Sequence, residues 1–427
     1  MKKLLIRGAV LVNPAREIQE CGEPLDLLAV DGRIVAQGIG LPDEDAQVIE
    51  ASGLCCAPGL VDMHVHLRDP GQTQKEDVES GCRAAAAGGV TSLACMPNTT
   101  PACDSPETIA YIVEKARSAS ARVYPVAAIT HSLLGEEMTD FEALKAAGAI
   151  AVSDDGRPVP TAGQMEQAMI HASCLGLKVL SHCEELSLTR GGIMNEGEVS
   201  RRLQVPGLCR GAEEIATARE IALAAATGCP VHICHVSTQG SVALLRDARR
   251  RGVPVTGETA PHYFSLTDSL LEKRDADYRM NPPLRTRDDV LAVIEGLCDG
   301  TLSAIATDHA PHTPGDKADF LRAPNGAVGL ETSLAVGITY LVKPGYLTLP
   351  QLMEKMSAQP AALLGIPGGS LIPGSPADLV LFDPEETWTV DPDRLHGKSR
   401  NTPFKGMTLT GRVKYTVLGG AVVYSDR

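Results

Sequence analysis

Histidines in this 427-residue chain fall at spacings that suit metal chemistry. His64 and His66 stand two residues apart in an apolar run, and the period-two alternation of a strand would put both side chains on one face. Imidazole binds Zn²⁺ and similar borderline cations. A lone histidine at a strand end is more often a hydrogen-bonded core residue. His182 and His235, however, follow two later apolar runs in the same way, so the four together predict a metal site.

The set of potential ligands is larger than one zinc ion needs. A catalytic zinc takes three protein ligands and keeps one position open, whereas Asp308 joins the four histidines at the end of a further run. Two metals about 3.5–4 Å apart would use all five residues if a carboxylate bridges them. Asp155 is the candidate bridge and Asp154 its competitor, because strand alternation lets only one of the pair face inward. The residues alone leave that choice open.

Eight short apolar runs would position these side chains. They alternate with helical segments rich in Ala and Glu, which predicts parallel pairing with right-handed crossovers. Eight strands close a (β/α)8 barrel, whose active site lies at the carboxyl ends of the strands. An open doubly wound sheet is the alternative, but the Gly-rich phosphate loop typical of its first turn is missing. The runs are 59–67, 90–97, 122–129, 149–156, 178–184, 230–237, 253–261 and 302–311.

Both chain ends have a different texture. Residues 1–54 and 371–427 contain short strand-like runs divided by turn dipeptides. The predicted fold is therefore α/β: a TIM barrel over residues 55–370, with a small β-sandwich domain formed by the two ends. Within the barrel, Ser105, Thr139 and Thr286 precede helical segments and are candidate N-caps.

Composition narrows the classes of function. The net charge of −14 and the 3% of aromatic residues disfavour nucleic-acid binding. No window of 18 apolar residues suggests a membrane span, and the opening run, interrupted by Arg7, is interpreted as a strand and not as a signal peptide. Twelve cysteines without a CxxC motif are interpreted as reduced thiols, which predicts a cytoplasmic location.

Several motifs in combination resemble those of the class I dihydroorotases, in the amidohydrolase superfamily. They are VDMHVHLRDPG, ACMPNT, SDDG, SHCE, HICHVS, MNPPLR, ATDHAPH and RAPNGAVGLET, and they extend over essentially the whole predicted barrel. The resemblance implies reversible cyclisation of N-carbamoyl-L-aspartate to L-dihydroorotate plus water, in de novo pyrimidine biosynthesis. Metal-bound hydroxide would attack the ring amide carbonyl, with Asp308 as general acid and base.

The resemblance also implies a role for each site residue. Two Zn²⁺ ions per subunit are expected, one bound by His64, His66 and Asp308, the other by His182 and His235, with Asp155 as the bridge. The expected substrate contacts are His66, Arg68, Asn98, Asn281, His312, Asn325 and Gly326, with Arg68 and Asn98 on the substrate carboxylate. Mn²⁺ or Co²⁺ could occupy similar sites.

Other interpretations compete with this one. Allantoinases and hydantoinases share the fold and metals, but many such relatives carry a carboxylated lysine as the bridge, and the segment AVSDDGRPV has none. A non-catalytic relative would lack ligands that are all present here. Arg68 could instead form a surface salt bridge with Asp69 or Glu76. The Gly- and Pro-containing segment 312–326 is either a mobile substrate loop or an ordinary surface excursion.

Partners follow from the resemblance alone. A homodimer is common in the family, and some members assemble with aspartate transcarbamoylase. A small-molecule substrate is expected, without nucleic acid or membrane.

Overall fold

Eight parallel strands form a barrel in the computed structural model, which describes residues 2–14 and 22–426. The strands follow one another around the barrel in chain order. A parallel bridge between Val65 and His309 joins the first strand to the end of the last. There the His66 N–H donates to the His309 carbonyl oxygen at 2.8 Å. The predicted barrel, with a β domain built from both chain ends, is confirmed.

The strands fall into three groups along the chain. The N-terminal group is β1 (Lys3–Leu11), β2 (Leu25–Val30), β3 (Arg33–Gly38), β4 (Ala46–Glu50) and β5 (Cys55–Pro58). The middle group is β6 (Leu60–Val65), β7 (Val90–Cys95), β8 (Arg122–Ala127), β9 (Ala151–Val152), β10 (Lys178–Ser181), β11 (Met194–Asn195), β12 (Gly207–Leu208), β13 (Val231–Ile233), β14 (Val255–Thr259) and β15 (Ala304–Ile305). The C-terminal group is β16 (Leu379–Thr389), β17 (Thr408–Leu418) and β18 (Ala421–Ser425).

Helices fill the connections between the barrel strands. They are α1 (Val78–Ala87), α2 (Pro106–Lys115), α3 (Phe141–Ala147), α4 (Ala162–Leu175), α5 (Glu198–Leu203), α6 (Gly211–Thr227), α7 (Gln239–Arg250), α8 (Pro261–Ser265), α9 (Arg287–Cys298), α10 (Ser333–Gly337), α11 (Leu349–Met353) and α12 (Gln359–Leu364). Among the described residues, none of these helices has the length and apolar character needed to cross a bilayer.

Sequence signals explain most of the helix starts. The side chain of Ser105 caps α2, and Thr286 forms a capping box with Asp289 at α9. The cap predicted at Thr139 is wrong, because α3 begins one residue later. There the Asp140 carboxylate accepts from the Ala143 N–H. The Thr139 hydroxyl donates instead to the Ala128 carbonyl, so it braces the preceding loop.

Two apolar layers hold the barrel together. The inner layer contains residues from seven of its strands or the positions just after them, such as Val61, Met63 and Ala304, with Ala361 and Leu364 of α12 packed against them. The outer layer lies between the strands and the surrounding helices. A packed interior leaves only the rims of the barrel for a binding site.

The two chain ends share one sheet. Its order is β18-β17-β16-β5-β1-β2-β3, and β4 also pairs with β1. Leu4, Ile6 and Leu27 from one end pack with Leu379 and Leu381 from the other. Strand β5 pairs with β1 and β16 and leads directly into barrel strand β6. The predicted domain division at residues 54 and 371 stays a proposal. Strand β5, which the prediction assigned to the barrel, belongs by its pairing to the sheet of the chain ends.

Candidate metal centre and active site

A bulge in β6 aims the first two histidines into the barrel mouth. Between Asp62 and Val65 the strand advances three residues while its neighbour β7 advances two. Val61 and Met63 face the barrel interior, but Val65 packs in the outer layer. The extra residue therefore inverts the alternation, so that His64 and His66 stand above Met63 at the mouth.

Asp155 lies among all four histidines. Its Oδ1 is 3.2 Å from His64 Nε2 and 3.5 Å from His182 Nδ1. The same oxygen is 3.8 Å from His235 Nε2. Its second oxygen, Oδ2, lies 3.6 Å from His66 Nε2. A carboxylate in this position can reach two metal sites at once.

Asp154 points the other way. It accepts from the backbone N–H groups of Ile129 and Thr130 at 2.8 and 3.0 Å, and from the Thr130 hydroxyl. Its carboxylate therefore organises the loop after β8. Of the adjacent pair, only Asp155 faces the histidines, as the sequence analysis proposed; the bridging role itself remains a prediction.

Asp308 completes the cluster from the opposite side of the mouth. Its Oδ1 is 3.1 Å from His66 Nε2 and 3.6 Å from His64 Nε2. Two groups of three residues could each hold a metal ion, because the ligand atoms within each group lie within 4.8 Å of one another. They are His64, His66 and Asp308, and His64, Asp155 and His235. His182 Nδ1 adjoins the second set, 2.9 Å from His235 Nε2.

Charges in the cluster favour a bound cation. Burial raises the pKa of Asp155, but the charge of His64 and hydrogen bonds from His182 and His235 outweigh it and hold that pKa well below its ordinary value. Burial lowers the pKa of His182, yet hydrogen bonds to Asp155 and Glu184 raise it to about 10. Carboxylates that stabilise a proton here also stabilise a metal ion.

The donor set fits a zinc-type metal. His64 Nε2 and Asp155 Oδ1 are both buried and only 3.2 Å apart, but neither makes a well-aligned hydrogen bond, and the contacts of Oδ1 with His182 and His235 are long at 3.5 and 3.8 Å. Ligation to a common cation would satisfy both atoms. Imidazole and carboxylate ligands are those that zinc takes in catalytic sites, so the residues present fit the metal centre.

A second layer of polar side chains supports the first ligand. Glu258, on β14, accepts from His64 Nδ1 at 3.2 Å, and His232 Nε2 lies 3.3 Å from the other Glu258 oxygen. Burial raises the pKa of Glu258, but hydrogen bonds from His232 and His64 outweigh it and lower that pKa to about 2. The ionised carboxylate fixes the His64 tautomer and turns Nε2 toward Asp155. Cys234 also lies close enough to form a third possible ligand set with His64 and Glu258.

A cavity of about 270 Å³ opens beside the cluster. Every residue predicted to contact substrate lines it: His66, Arg68, Asn98, Asn281, His312, Asn325 and Gly326. Asp155, His182, His235 and Asp308 line it as well. The structure therefore brings the predicted ligands and the predicted substrate contacts to one place, and the individual roles remain predictions.

Arg68 belongs to this cavity and not to the surface. Its Nε donates to the Pro311 carbonyl at 3.3 Å, and one terminal nitrogen lies 3.5 Å from His312 Nε2. The salt-bridge alternative fails, because Asp69 pairs with Lys115 and Glu76 accepts from Ser80 and the Lys398 N–H. Among the described residues no carboxylate lies within 4.0 Å of the Arg68 guanidinium, which leaves it available to an anionic ligand.

The segment 312–326 is tied down at the cavity rim. Lys317 Nζ donates to the carbonyls of Ala276, Arg279 and Pro324 at 2.9–3.3 Å. His312 Nε2 donates to the Asn325 carbonyl at 2.9 Å. Burial and the charge of Arg68 lower the His312 pKa to about 3, so this imidazole is neutral at physiological pH.

Three site residues have backbones in the left-handed region. Their φ values are 59° for Arg68, 39° for His235 and 49° for Asp308. Such conformations cost about 1–3 kcal/mol each in a non-glycine residue and persist where the surrounding structure enforces them. Each residue follows the carboxyl end of a barrel strand, where a sharp change of direction turns the side chain into the mouth.

Two contacts of the cluster were missed by the sequence analysis. Glu258 lies within the predicted run 253–261 but received no role from the sequence pattern, and Glu184 appeared only as a letter of the SHCE motif. Glu184 Oε2 lies 3.3 Å from His182 Nε2, and both of its oxygens accept from Asn281 Nδ2 at 3.2 Å. The Glu184–Asn281 and Glu258–His64 contacts have no local signal, because their partners are 97 and 194 residues apart.

Fold and site together define an amidohydrolase with a metal site. Residues 53–241 match the family model described as dihydro-orotase-like, and residues 279–424 match that of the amidohydrolase family. Among solved structures, a dihydropyrimidinase from Brevibacillus agri is 29% identical with a TM-score of 0.86, covering 99% of this chain and 95% of that one. An L-hydantoinase from Arthrobacter aurescens is 26% identical with a TM-score of 0.88, covering 100% and 96%.

Curated relatives give the narrower family. The dihydroorotase of Geobacter metallireducens is 50% identical over 424 residues, which is 99% of both chains. That of Pelotomaculum thermopropionicum is 49% identical over 427 residues, 100% of this chain and 99% of the relative. The chain belongs to the dihydroorotase family, whose members are hydrolases of cyclic amide bonds.

Proposed function

We propose that this chain catalyses the reversible cyclisation of N-carbamoyl-L-aspartate to L-dihydroorotate in pyrimidine biosynthesis. The observation that carries the proposal is Arg68, a half-buried guanidinium that lines the cavity with no carboxylate partner among the described residues. A charge partly removed from water calls for a counter-charge, and a guanidinium matches a carboxylate with two parallel hydrogen bonds. Dihydroorotate carries such a carboxylate, whereas hydantoin and allantoin do not.

The metal is proposed to be zinc, with two ions per subunit. His64, His66 and Asp308 would hold one ion, His182 and His235 the other, and Asp155 would contact both. When bound, the metals lower the pKa of water toward neutrality and polarise the carbonyl that is attacked. Asp155 lies close to His64 and His66 on one side and to His182 and His235 on the other, which supports its position between the ions.

Asp308 is proposed to move the proton. Burial raises its pKa, but the hydrogen bond from His66 and the charge of His64 lower it overall, so the carboxylate starts ionised. In ring opening it accepts a proton from the attacking water and delivers it to the ring nitrogen as the C–N bond breaks. In ring closure the same proton path runs backward, and one water leaves. The closure as a whole consumes one proton, because a carboxylate becomes a neutral amide.

Arg68 and Asn98 would orient the substrate. Asn98 Oδ1 is 2.8 Å from His66 Nδ1 and its Nδ2 donates to Asp155 at 3.2 Å. This amide is therefore held rigidly by two ligand residues, at the edge of the cavity. When Arg68 binds the substrate carboxylate, the ring carbonyl of the substrate faces the cluster of histidines and aspartates. Fixed orientation of this kind lowers the barrier to attack.

Location and assembly are part of the proposal. Ten cysteines other than Cys55 in the described part of the chain are free thiols, which supports a reducing compartment and thus the cytoplasm. A homodimer and an association with aspartate transcarbamoylase are proposed from the family resemblance. Size-exclusion chromatography with light scattering, alone and with that enzyme, tests both.

Turnover by the purified protein tests the function. Zinc-loaded enzyme is assayed with L-dihydroorotate, N-carbamoyl-L-aspartate, hydantoin and allantoin. We expect conversion of the first two into each other, favouring the ring at acid pH, and little conversion of the others. Preferred hydrolysis of hydantoin or allantoin would favour the alternative cyclic amidohydrolases. No turnover of any of the four by fully metallated protein would argue for a non-catalytic role.

A further inference from the structure

We propose that Glu184 is a positioning residue that sets which atom of Asn281 faces the substrate while it orients the metal ligand His182. The inference deepens the proposed function and rests on it. Glu184 follows β10 by three residues, and its side chain is only 10% exposed. It contacts one residue of the metal cluster and one of the substrate cavity, and so connects the two.

The contact with Asn281 fixes the orientation of an amide. Asn281 Nδ2 lies 3.2 Å from both Glu184 oxygens. An ionised carboxylate accepts hydrogen bonds and donates none, so the Asn281 side chain must turn its NH2 group toward Glu184. Asn281 lines the cavity, and Oδ1 is the polar atom of its side chain that remains for a ligand.

The exposed oxygen defines what Asn281 can recognise. An amide oxygen accepts hydrogen bonds, so it selects an N–H group and disfavours a carbonyl at that position of the ligand. A dihydropyrimidine ring presents both kinds of group along its edge. Glu184 therefore determines the rotation in which the ring lies in the cavity, without touching the substrate itself.

The contact between Glu184 and His182 determines which nitrogen of this imidazole is left for a metal. His182 Nε2 is 3.3 Å from Glu184 Oε2, while Nδ1 faces Asp155 Oδ1 at 3.5 Å. With Nε2–H donated to Glu184, Nδ1 is the nitrogen left for a metal. One carboxylate thus fixes the ligand atom of His182 and the acceptor atom of Asn281 together.

A pair of substitutions separates this role from simple support. In Glu184→Gln, the amide oxygen can still accept from His182 Nε2, which leaves the new NH2 group facing Asn281. Asn281 then turns its oxygen to that NH2 group and presents its own NH2 to the ring N–H. We expect the KM for dihydroorotate to rise about 10- to 100-fold, since a hydrogen bond is lost and donors face each other, with zinc content unchanged.

The double variant Glu184→Gln/Asn281→Asp restores a hydrogen bond between the two positions with donor and acceptor exchanged. The NH2 group at position 184 donates to one oxygen at position 281, and the other oxygen again offers an acceptor to the ring. We expect its KM to lie at least tenfold below that of either single variant. Glu185→Gln is the matched control, because the Glu185 carboxylate accepts from the N–H and hydroxyl of Ser187 in its own turn, and it should behave as wild type.

Three measurements decide the proposal. They are made on wild type and on four variants: Glu184→Gln, Asn281→Asp, the double variant and Glu185→Gln. The measurements are zinc content by atomic absorption, the dissociation constant of N-carbamoyl-L-aspartate by calorimetry, and KM with kcat. A wild-type KM in Glu184→Gln, additive damage in the double variant, or loss of zinc in proportion to activity would overturn it. Wild-type turnover is measured first. If that fails for dihydroorotate, the proposed function fails by itself, and the variants are compared on whichever cyclic amide is turned over.

Discussion

Arg68 is the residue on which substrate choice depends most directly. In Arg68→Ala we expect kcat/KM for dihydroorotate to fall about 10- to 100-fold, because a charge-assisted bidentate contact contributes about 1.5–3 kcal/mol. Zinc content should not change, since Arg68 contacts Pro311 and His312 and no predicted ligand within hydrogen-bond distance. Arg68→Lys keeps the charge without the planar guanidinium, so its kcat/KM should lie between those of wild type and Arg68→Ala. Wild-type kinetics in Arg68→Ala would remove this residue from the substrate site.

Asp308 allows a second test at the scale of a single residue. Asp308→Asn keeps the size of the side chain and one oxygen for the metal but cannot carry the proton. A positioned general acid and base contributes about 10²- to 10⁴-fold, so both ring opening and ring closure should slow by that order. Rates are compared per bound zinc. Substantial activity in a fully metallated variant, or activity lost only in step with the metal, would leave Asp308 as a ligand without a catalytic role.

Sequence reasoning at the residue scale reached the histidines and carboxylates of the cluster but not the residues that orient them. The histidines and Asp308 are found because each follows an apolar run, which is a local signal. The choice of Asp155 over Asp154 needed the loop after β8, whose Ile129 and Thr130 amides engage Asp154. Glu184 and Glu258 act on residues far away in the chain, and such pairings are set by the closed barrel alone.

At the scale of elements, the eight predicted runs match the eight barrel strands, but the strand geometry was not predictable. Strands β9 and β15 have only two paired residues each, because the chain leaves the sheet early to place Asp155 and Asp308. The bulge in β6 inverts the alternation that the sequence pattern assumes. His64 and His66 share a face as expected, but simple alternation from Val61 and Met63 would have turned both histidines outward, and only the bulge turns them into the barrel.

Loops of the mouth are held by a buried ion pair. Arg285, in the MNPPLR motif, is 2% exposed and lies 3.4 Å from Glu213. Glu213 also accepts from the N–H groups of Ser237 and Thr238, just after His235. Removal of one partner from a buried pair costs about 3–5 kcal/mol. Arg285→Met should therefore unfold at markedly lower urea concentration.

The exposed Arg250→Met is the matched control for that substitution. Arg250 pairs with Asp247 at 3.5 Å on the surface of α7, and its side chain is 75% exposed. Surface pairs of this kind contribute about 0–1 kcal/mol, so its stability should equal that of wild type. Equal stability of the Arg285 and Arg250 variants would contradict the role given to the buried pair.

Helix α1, which follows the strand of His64 and His66, gives a prediction that depends on pH. Its N-cap Asp77 accepts from the Ser80 N–H and pairs with Lys398. Burial raises the Asp77 pKa, but the hydrogen bonds from Lys398 and Ser80 outweigh it and lower that pKa to about 2. Asp77→Ala should cost about 1 kcal/mol at neutral pH.

The sign of the pH effect follows from the depressed pKa. Ionised Asp77 stabilises the fold above its unfolded pKa near 4, and this contribution is lost as the pH falls toward 2. The difference in unfolding free energy between wild type and Asp77→Ala, from urea titrations, should therefore shrink across that interval. Asp77→Asn keeps a capping oxygen without the charge, so its deficit should be smaller and should shrink across the same interval, while the gap between Asp77→Asn and Asp77→Ala stays constant with pH. A constant gap for Asp77→Ala would show that the charge contributes nothing.

On the scale of the whole molecule, the existence of a sheet shared by both chain ends was predictable, but not all of its strands were. Strand-like texture at both ends indicated one shared domain, and the antiparallel pairing of β16 with β5 joins them. The part that β5 plays was not predictable, because Cys55–Pro58 falls within the range 55–370 predicted for the barrel, directly before the first barrel run at 59–67. It is a sheet strand that turns at Gly59 into β6, so the β domain and the first metal ligands are joined by one residue.

The metal centre should stabilise the barrel as a whole, because its predicted ligands come from the ends of five strands: β6, β9, β10, β13 and β15. A ligand that binds only the folded state stabilises it by mass action, by about 2.7 kcal/mol at a free concentration 100 times its Kd. Chelation should therefore lower the melting temperature and zinc should restore it. Asp155→Ala removes the carboxylate proposed to contact both ions, and its melting temperature should respond much less to zinc. Scanning calorimetry of the two proteins, with and without the metal, makes the comparison. Equal shifts would mean that zinc binds elsewhere and that these strand ends are not cross-linked by it.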